Sequence, residues 1–451
     1  MSASLSRPLG ADLNLWLARR RIARAAWLYL FLLVMTFVMM GPFVYSLLLS
    51  LSPNPTQYPP VLIPNTLDPR NLIAAYQLGR EGSGNGLMGG WAPRHQISLE
   101  VWFHVQGQPT LPQVAVLPTF GGTGFANLAS VTPPEVTRVE PVTPLGCQQN
   151  LCGYRFRFEQ IGQSAVKSLP VEITVPTSMT YAGGTLAPTE IQNRFVNYAL
   201  DYASLSPGLV PYLFGHYLDA LFTFHLGDGS PAFPRWIFNS LLLAVIAVLT
   251  NVLFGSMAGF ALARLRFPGK WWIFYFFVIF SQMLPAQVTL PSNYLVIKEG
   301  IFGLFPDLLN TYWAVILPSL VGGAAAFIMK QFLESIPSEI EEAARIDGAN
   351  TWQVYRRIVL PMARPALIAL TILNFQSSWN NFFWPFVVYT SERMYTLPIG
   401  LTFFKTFYVS GIPNWGLILA GAMISILPVI LIFFFFQRYF VEGISFSGLK
   451  G

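Results

Sequence analysis

Six stretches of this chain run without Asp, Glu, Lys or Arg: Ala25–Leu51, Trp236–Ala263, Trp271–Ile297, Leu308–Met329, Pro365–Thr390 and Ile412–Gln437. A helix needs about 20 apolar residues to cross the hydrocarbon core of a bilayer. One charge at its centre costs about 2.5–3.5 kcal/mol on insertion scales. Six runs that avoid this cost restrict the chain to a helical membrane protein, because a helix satisfies its own backbone polar groups inside lipid. Charged residues are 11% of the whole, against about 25% in soluble domains. The first run follows Arg19, Arg20, Arg21 and Arg24 and looks like a signal peptide. It is longer than the apolar core of about 7–15 residues that such peptides carry, so it is expected to be a retained helix.

The flanking charges predict the topology. Residues 1–24 are short, polar and arginine-rich, which places them in the cytoplasm. Arg264, Arg266 and Lys270 follow the second run, Arg345, Arg356, Arg357 and Arg364 follow the fourth, and Arg438 and Lys450 follow the sixth. With the N-terminus inside, all three places fall on the cytoplasmic face, so both termini are cytoplasmic. The net charge of +6 lies beside apolar runs rather than in one patch. That favours membrane lipid over nucleic acid as a partner.

Ser52–Arg235 then lies outside. Gln96–Val105, Gly153–Gln160 and Leu169–Val175 are rich in aromatic and β-branched residues between Pro and Gly clusters, a strand pattern. They predict a small antiparallel β-rich domain from about Gly82 to Gly184. Ala187–Leu226, with Ile191, Phe195, Tyr198, Leu200 and Tyr202 and later Tyr212, Leu213 and Tyr217, reads as more helical and as packed at the membrane surface. Cys147 and Cys152 are the only cysteines. Outside the membrane they suit a local disulfide across a tight loop; two unpaired thiols is the other reading. His95, His104, His216 and His225 lack metal-site spacing, and no metal is expected.

Between the fourth and fifth runs, Ser335–Pro365 is polar and charged yet keeps an apolar stripe. Ser338 followed by Glu341 reads as a helix start in which hydroxyl and carboxylate cap free N–H groups. Ile340, Ala343, Ala344 and Ile346 recur at helical spacing. Gly348 permits a turn, and Trp352, Tyr355, Ile358 and Val359 form a second amphipathic segment. The segment is a helix-turn-helix at the membrane surface, either docking a partner or packing on its own protein. The fifth run is the polar one: Asn374, Gln376, Ser377, Ser378, Trp379, Asn380 and Asn381. Amides and an indole suit sugar hydroxyls and sugar faces, and amides equally serve as glue between helices. Pro42, Pro285, Pro291, Pro318, Pro385 and Pro428 interrupt the runs, and Gly322, Gly323 and Ala324–Ala326 offer a small-residue packing face.

Some chemistry is missing from the sequence. Pro268-Gly269-Lys270-Trp271 lacks the upstream glycine and the Ser/Thr of a phosphate loop. The runs hold no acid of the kind an ion-coupled carrier uses. Uphill transport by this chain therefore requires energy from another subunit.

EEAARIDGANTWQVYRRIVLPMARP (341–365) resembles the EAA signature of permease subunits of ATP-binding-cassette importers, with Glu342-Ala343-Ala344, Gly348 and Leu360-Pro361 at the family spacing. TYWAVILPSL, IPSEIEEA, WNNFFWPF, YTLPIGL and QRYFVEGISFSGLKG are similar to the carbohydrate-uptake branch, in particular the smaller permease of maltose-type importers. The resemblance covers residues 1–65 loosely and 230–451 almost continuously. It implies a type I importer fold of six transmembrane helices, with both termini in the cytoplasm of a bacterial inner membrane. It further implies a second permease, a dimeric cytoplasmic ATPase that uses ATP and Mg, and an extracytoplasmic solute-binding protein. No cofactor is expected on this chain, and the permease itself is not an enzyme.

By the same resemblance, Glu342, Ala343, Ala344, Arg345, Asp347 and Gly348 contact the ATPase. Gly443–Gly451 is similar to tails that reach toward the ATPase dimer. Gln376, Ser377, Ser378, Trp379, Asn380 and Asn381 are the candidate substrate pathway. Maltose-like oligosaccharides, trehalose and glycerol phosphate are among the solutes of relatives. About Leu78 to Phe222 has no counterpart in the family. The competing readings are a secondary carrier, against which the uncharged runs argue, and a membrane scaffold, which needs no EAA loop.

Overall fold

The computed structural model describes residues 9–52, 63–117, 133–192, 198–202, 204–205, 207–300, 303, 306–404, 408–409 and 412–445. Helix α1 (Leu9–Ser50) contains the first apolar run, and from Ala25 to Met40 every side chain is exposed. A helix that is apolar all round and buries none of this surface suits lipid as its solvent. Its C-terminal end is anchored: the Ser50 hydroxyl lies 2.7 Å from Tyr217 Oη, and His216 Nε2 lies 3.0 Å from the Ser52 carbonyl.

Helix α2 (Pro69–Ser83) starts on an Asp68 cap, with Pro69 at its first position. Two antiparallel sheets follow. The strands are β1 (Gln96–Val105), β2 (Gln113–Val116), β3 (Thr137–Val139), β4 (Thr143–Gln148), β5 (Leu151–Gln160), β6 (Val171–Val175), β7 (Met179–Gly184), β8 (Thr189–Gln192) and β9 (Tyr198–Tyr202). One sheet has the order β3-β5-β1-β7, with β4 also on the β5 edge; the other runs β2-β6-β9-β8. Alternation along β1 buries Ile97, Leu99, Val101, Phe103 and Val105. They share one core with Phe156 and Phe158 of β5, Val171 and Ile173 of β6, and Leu200 of β9. Side chains of successive strand residues point to opposite faces, so each sheet turns an apolar face to the other.

β8 and β9 fall where a helical segment was expected. Tyr198, Leu200 and Tyr202 recur at every second residue, the strand period, and β9 pairs with β6 from Val171↔Tyr202 to Val175↔Tyr198. The β-rich region therefore runs past Gly184 to Tyr202. Phe195 lies outside the described residues. Helix α3 (Leu209–Phe222) carries the helical part of that expectation.

Helices α4 (Ala232–Arg264), α5 (Lys270–Met283), α6 (Ala286–Glu299), α7 (Trp313–Glu334), α8 (Glu339–Ile346), α9 (Thr351–Met362), α10 (Arg364–Trp379), α11 (Phe383–Val388), α12 (Leu397–Phe403) and α13 (Trp415–Ser445) complete the chain. Among the described residues four helical stretches are long and apolar enough to cross a membrane, or six if each of two bent pairs is one span. The third run is one of those pairs. α5 and α6 meet at 105°, because Leu284 precedes Pro285 and takes an extended ψ of 122°. The ring of a proline disfavours the helical region for the residue before it. The fifth run is also not one helix. It ends at Trp379, and Phe383–Val388 is a separate short helix beyond the turn at Asn380 and Asn381.

α7 is interrupted around Leu320–Gly322. Asn251 of α4 satisfies the groups the break frees, donating to the Ser319 carbonyl (2.8 Å) and accepting from the Gly322 N–H (2.7 Å). This is the side-chain repair that lets a broken helix persist in a membrane. Further along, a Cβ on Gly255 would lie 2.7 Å from Ala325 Cβ. Small residues on both helices let their backbones approach closely.

Candidate functional site

Helices α8 and α9 and the turn between them form the segment singled out by its sequence. The first turn of α8 is not capped as expected: Ser338 has helical φ/ψ (−72°, −23°) and its hydroxyl makes no cap. Glu341 instead turns inward, and its Oε1 lies 2.7 Å from Arg264 Nε, with the two side chains 6% and 13% exposed. The contact is one of charge rather than an aligned N–H···O bond. The same guanidinium donates through Nη2 to the carbonyls of Leu333 (2.8 Å) and Ile336 (2.6 Å). Those carbonyls lie at the end of α7, where helices leave acceptors unpaired and favour a cation.

The other end of α8 is closed by the backbone. The Gly348 N–H bonds the Arg345 carbonyl, and the Ala349 N–H bonds the Ala344 carbonyl at 2.9 Å. Gly348 has φ +87°, the left-handed conformation this closure requires. Asn350 then starts α9 with reciprocal bonds of 2.8 Å to and from Gln353, a capping box. The helix-start signal was present in the sequence at Asn350-x-x-Gln353 rather than at Ser338.

α9 is rooted where α8 is not. Val354, Tyr355 and Val359 are buried with Phe260, Met329, Leu333 and Leu370, a core shared by α4, α7 and α10. The Tyr355 hydroxyl lies 2.8 Å from Ser256 Oγ. At Ala363 (φ −84°, ψ 6°) the chain bends by 76° from α9 into α10. On the opposite side of α8, Glu342, Ala343, Arg345, Ile346, Asp347 and Gly348 are all exposed. Ala344 is half-buried at the edge of the core. The arrangement presents a charged helix, with Ile346 86% exposed at its end, on a base fixed to the spans.

The second set of residues divides on α10. Trp379 is buried, stacks on Phe375 with ring centroids 5.8 Å apart, and donates from Nε1 to the Ser425 carbonyl of α13 at 3.0 Å. It holds two spans together and faces the interior. Gln376, Ser377 and Asn380 are exposed and share a face with exposed Leu373, at positions i, i+3, i+4 and i+7. Ser378 and Asn381 are half-buried.

Outside the spans, Cys147 and Cys152 form a disulfide that closes the β4–β5 hairpin, where they are cross-strand partners. Among the described residues no group of three His, Cys, Asp or Glu side chains is placed to hold a metal ion. The tail 446–451 lies outside the described residues.

The family described as binding-protein-dependent transport system inner membrane component matches residues 234–446. An arabinooligosaccharides transport system permease protein of Halalkalibacterium halodurans is 41% identical over 217 residues, covering 48% of this chain and 74% of that one. An sn-glycerol-3-phosphate transport system permease protein of Brucella abortus is 29% identical over 273 residues, covering 60% and 90%. A crystal structure of a bacterial ABC transporter involved in the import of the acidic polysaccharide alginate aligns with 50% of this chain and 79% of its own, at 25% identity and a TM-score of 0.44.

Proposed function

The chain belongs to the binding-protein-dependent transport inner membrane components, and from that membership we propose that it is one permease subunit of an ATP-driven sugar importer. It is a transporter subunit, not an enzyme. It lines half of a translocation pathway beside a second permease, and a dimeric ATPase in the cytoplasm supplies the energy from ATP and Mg. A solute-binding protein delivers the solute from outside. In this reading residues 1–24 are cytoplasmic, 25–51 are the first span, 52–235 are outside, and 236–451 carry five further spans with both termini in the cytoplasm.

The observation that carries the reading is the exposed face of α8. Glu342, Ala343, Arg345, Ile346 and Asp347 stand clear of the protein while Glu341 is tied inward. Small alanines allow a close approach, and the mixed charges orient a partner. A solvated surface loop has no need of an inward ion pair to hold it to the spans.

The polar face of α10 supports the pathway half of the reading. Gln376, Ser377 and Asn380 carry amide and hydroxyl groups that are poorly suited to lipid and well suited to water, a second permease or a neutral sugar. Trp379 is a packing residue in this reading rather than a sugar platform. The relatives' names divide between arabinooligosaccharides and sn-glycerol 3-phosphate. The uncharged face favours a neutral oligosaccharide, maltose- or trehalose-like solutes included, and glycerol phosphate is the second reading.

Affinity purification of the full chain from its own membranes tests the proposal. Vesicle uptake of labelled arabinotriose, maltose, trehalose and glycerol 3-phosphate accompanies it. A copurifying nucleotide-binding subunit and ATP-dependent accumulation of one solute are expected. The proposal is overturned if no such subunit copurifies and Glu342→Lys leaves uptake unchanged.

A further inference from the structure

α8 is attached to the protein in an unusual way for an amphipathic helix. Its buried side chain is a carboxylate, Glu341, and not an apolar residue. α9, four residues later, is held by Val354, Tyr355 and Val359 in the shared core. Apolar packing of that kind is non-directional and tolerates small sliding. The contact to Glu341 is different, because one planar guanidinium holds it together with two carbonyls of α7. Arg264 is the last residue of α4, so three elements converge on a single side chain.

We propose that Arg264 is a positioning residue that makes α4, the end of α7 and α8 move as one body. It thereby transmits displacement of the docked helix to the spans. The inference rests on the importer reading, in which α8 is the part that the ATPase moves. Arg264 touches neither solute nor nucleotide in this account; it acts through Glu341 and the Leu333 and Ile336 carbonyls. Its planar fork is what the role requires. A lysine keeps the charge but is a point donor that does not reproduce the three-way geometry. A glutamine at position 341 keeps the shape and leaves the two carbonyl bonds of Arg264 in place, while removing the opposite charge.

The test uses the full importer in vesicles, with the solute that the wild type accumulates in the uptake experiment above. Arg264→Lys and Glu341→Gln are each compared with wild type for the amount of assembled complex, the rate of ATP hydrolysis, and the solute moved per ATP hydrolysed. Loss of fold lowers assembly and leaves the ratio per assembled complex unchanged. Loss of transmission lowers the ratio at unchanged assembly. We expect solute moved per ATP to fall about tenfold in Arg264→Lys, within the usual range of coupling between sites, and by less in Glu341→Gln. If both variants assemble and retain the wild-type ratio, the inference is wrong. If Arg264→Lys does not assemble, an unchanged ratio in Glu341→Gln overturns it by itself. A wild-type chain that binds no ATPase and accumulates no solute refutes the importer reading instead, which keeps the two failures apart.

Discussion

Asp201 and Glu172 are direct partners across β6 and β9, two carboxylates side by side in the β-sandwich. Burial, and then the neighbouring Glu172 charge, push Asp201 from its ordinary 3.8 up to about 6. The folded domain therefore holds this proton more tightly than the unfolded chain does. That contribution to stability is fully present below pH 3.8 and is lost as pH rises through about 6. Asp201→Asn is expected to raise the melting temperature of the domain at neutral pH and to remove this loss. Thermal unfolding of the full chain between about pH 4 and about pH 7 measures both. Gly348 makes a second prediction at this scale. A Cβ there meets no atom within 4 Å, so the cost of a side chain is that of the left-handed backbone alone. Gly348→Ala is expected to destabilise the end of α8 by about 1–2 kcal/mol, with Gly348→Asn milder because its side chain tolerates this conformation. Faster hydrogen exchange at the amides of 348 and 349 reports the effect.

At the scale of elements, helix boundaries carry local signals, of which the reading of the sequence used Gly348 and missed Asp68-Pro69 and Asn350-x-x-Gln353. Pro69 after Asp68, Gly348 after α8, and Asn350-x-x-Gln353 before α9 each act through one or two backbone groups. Asn350→Ala removes one half of a capping box and is expected to cost about 1 kcal/mol. Exchange of the amides of 351–354 in the full chain measures it; unchanged exchange would show that the core around Val354 and Tyr355 holds α9 without its cap. Ser338 shows where such reading fails. Its spacing to Glu341 satisfies the capping pattern, yet the carboxylate is paired with the charge of Arg264, which is distant in the sequence, and does not reach back to the helix start. The assignment of Ala187–Leu226 failed for a different reason. Tyr198, Leu200 and Tyr202 alternate like a strand, but a five-residue strand such as β9 is too short for its period to outweigh the helical pattern that follows in α3.

For the whole molecule, the β-sandwich is joined to the rest through two ends that touch and through Ala74, Ala75 and Leu78 of α2, which share its core. The Leu209 N–H bonds the Gly86 carbonyl and the Val210 N–H bonds the Leu87 carbonyl, both at 2.9 Å. A Cβ on Gly89 would lie 2.2 Å from the Pro207 carbonyl carbon. Residues 90–206 can therefore be excised and the ends rejoined, although this uncovers Ala75 and Leu78 of α2, which the sandwich core buries. The shortened chain is expected to insert, remain monodisperse in detergent, and keep the Ser50–Tyr217 contact. Excision of 82–184 alone is expected to aggregate, since it strips β6 from β9 and exposes Leu200 and Tyr202. Size-exclusion profiles of the two variants decide this, and equal behaviour of both would refute it. The sequence by itself determined the membrane class, the six apolar runs, the strand β1 and the surface helix pair. Each follows from local composition or period, because water and lipid act on every segment separately. Tertiary structure alone decided that Asn251 mends the break in α7, that Trp379 faces the core, and that Arg264 binds Glu341. Those outcomes depend on which groups from distant segments meet, and no spacing along the chain encodes that.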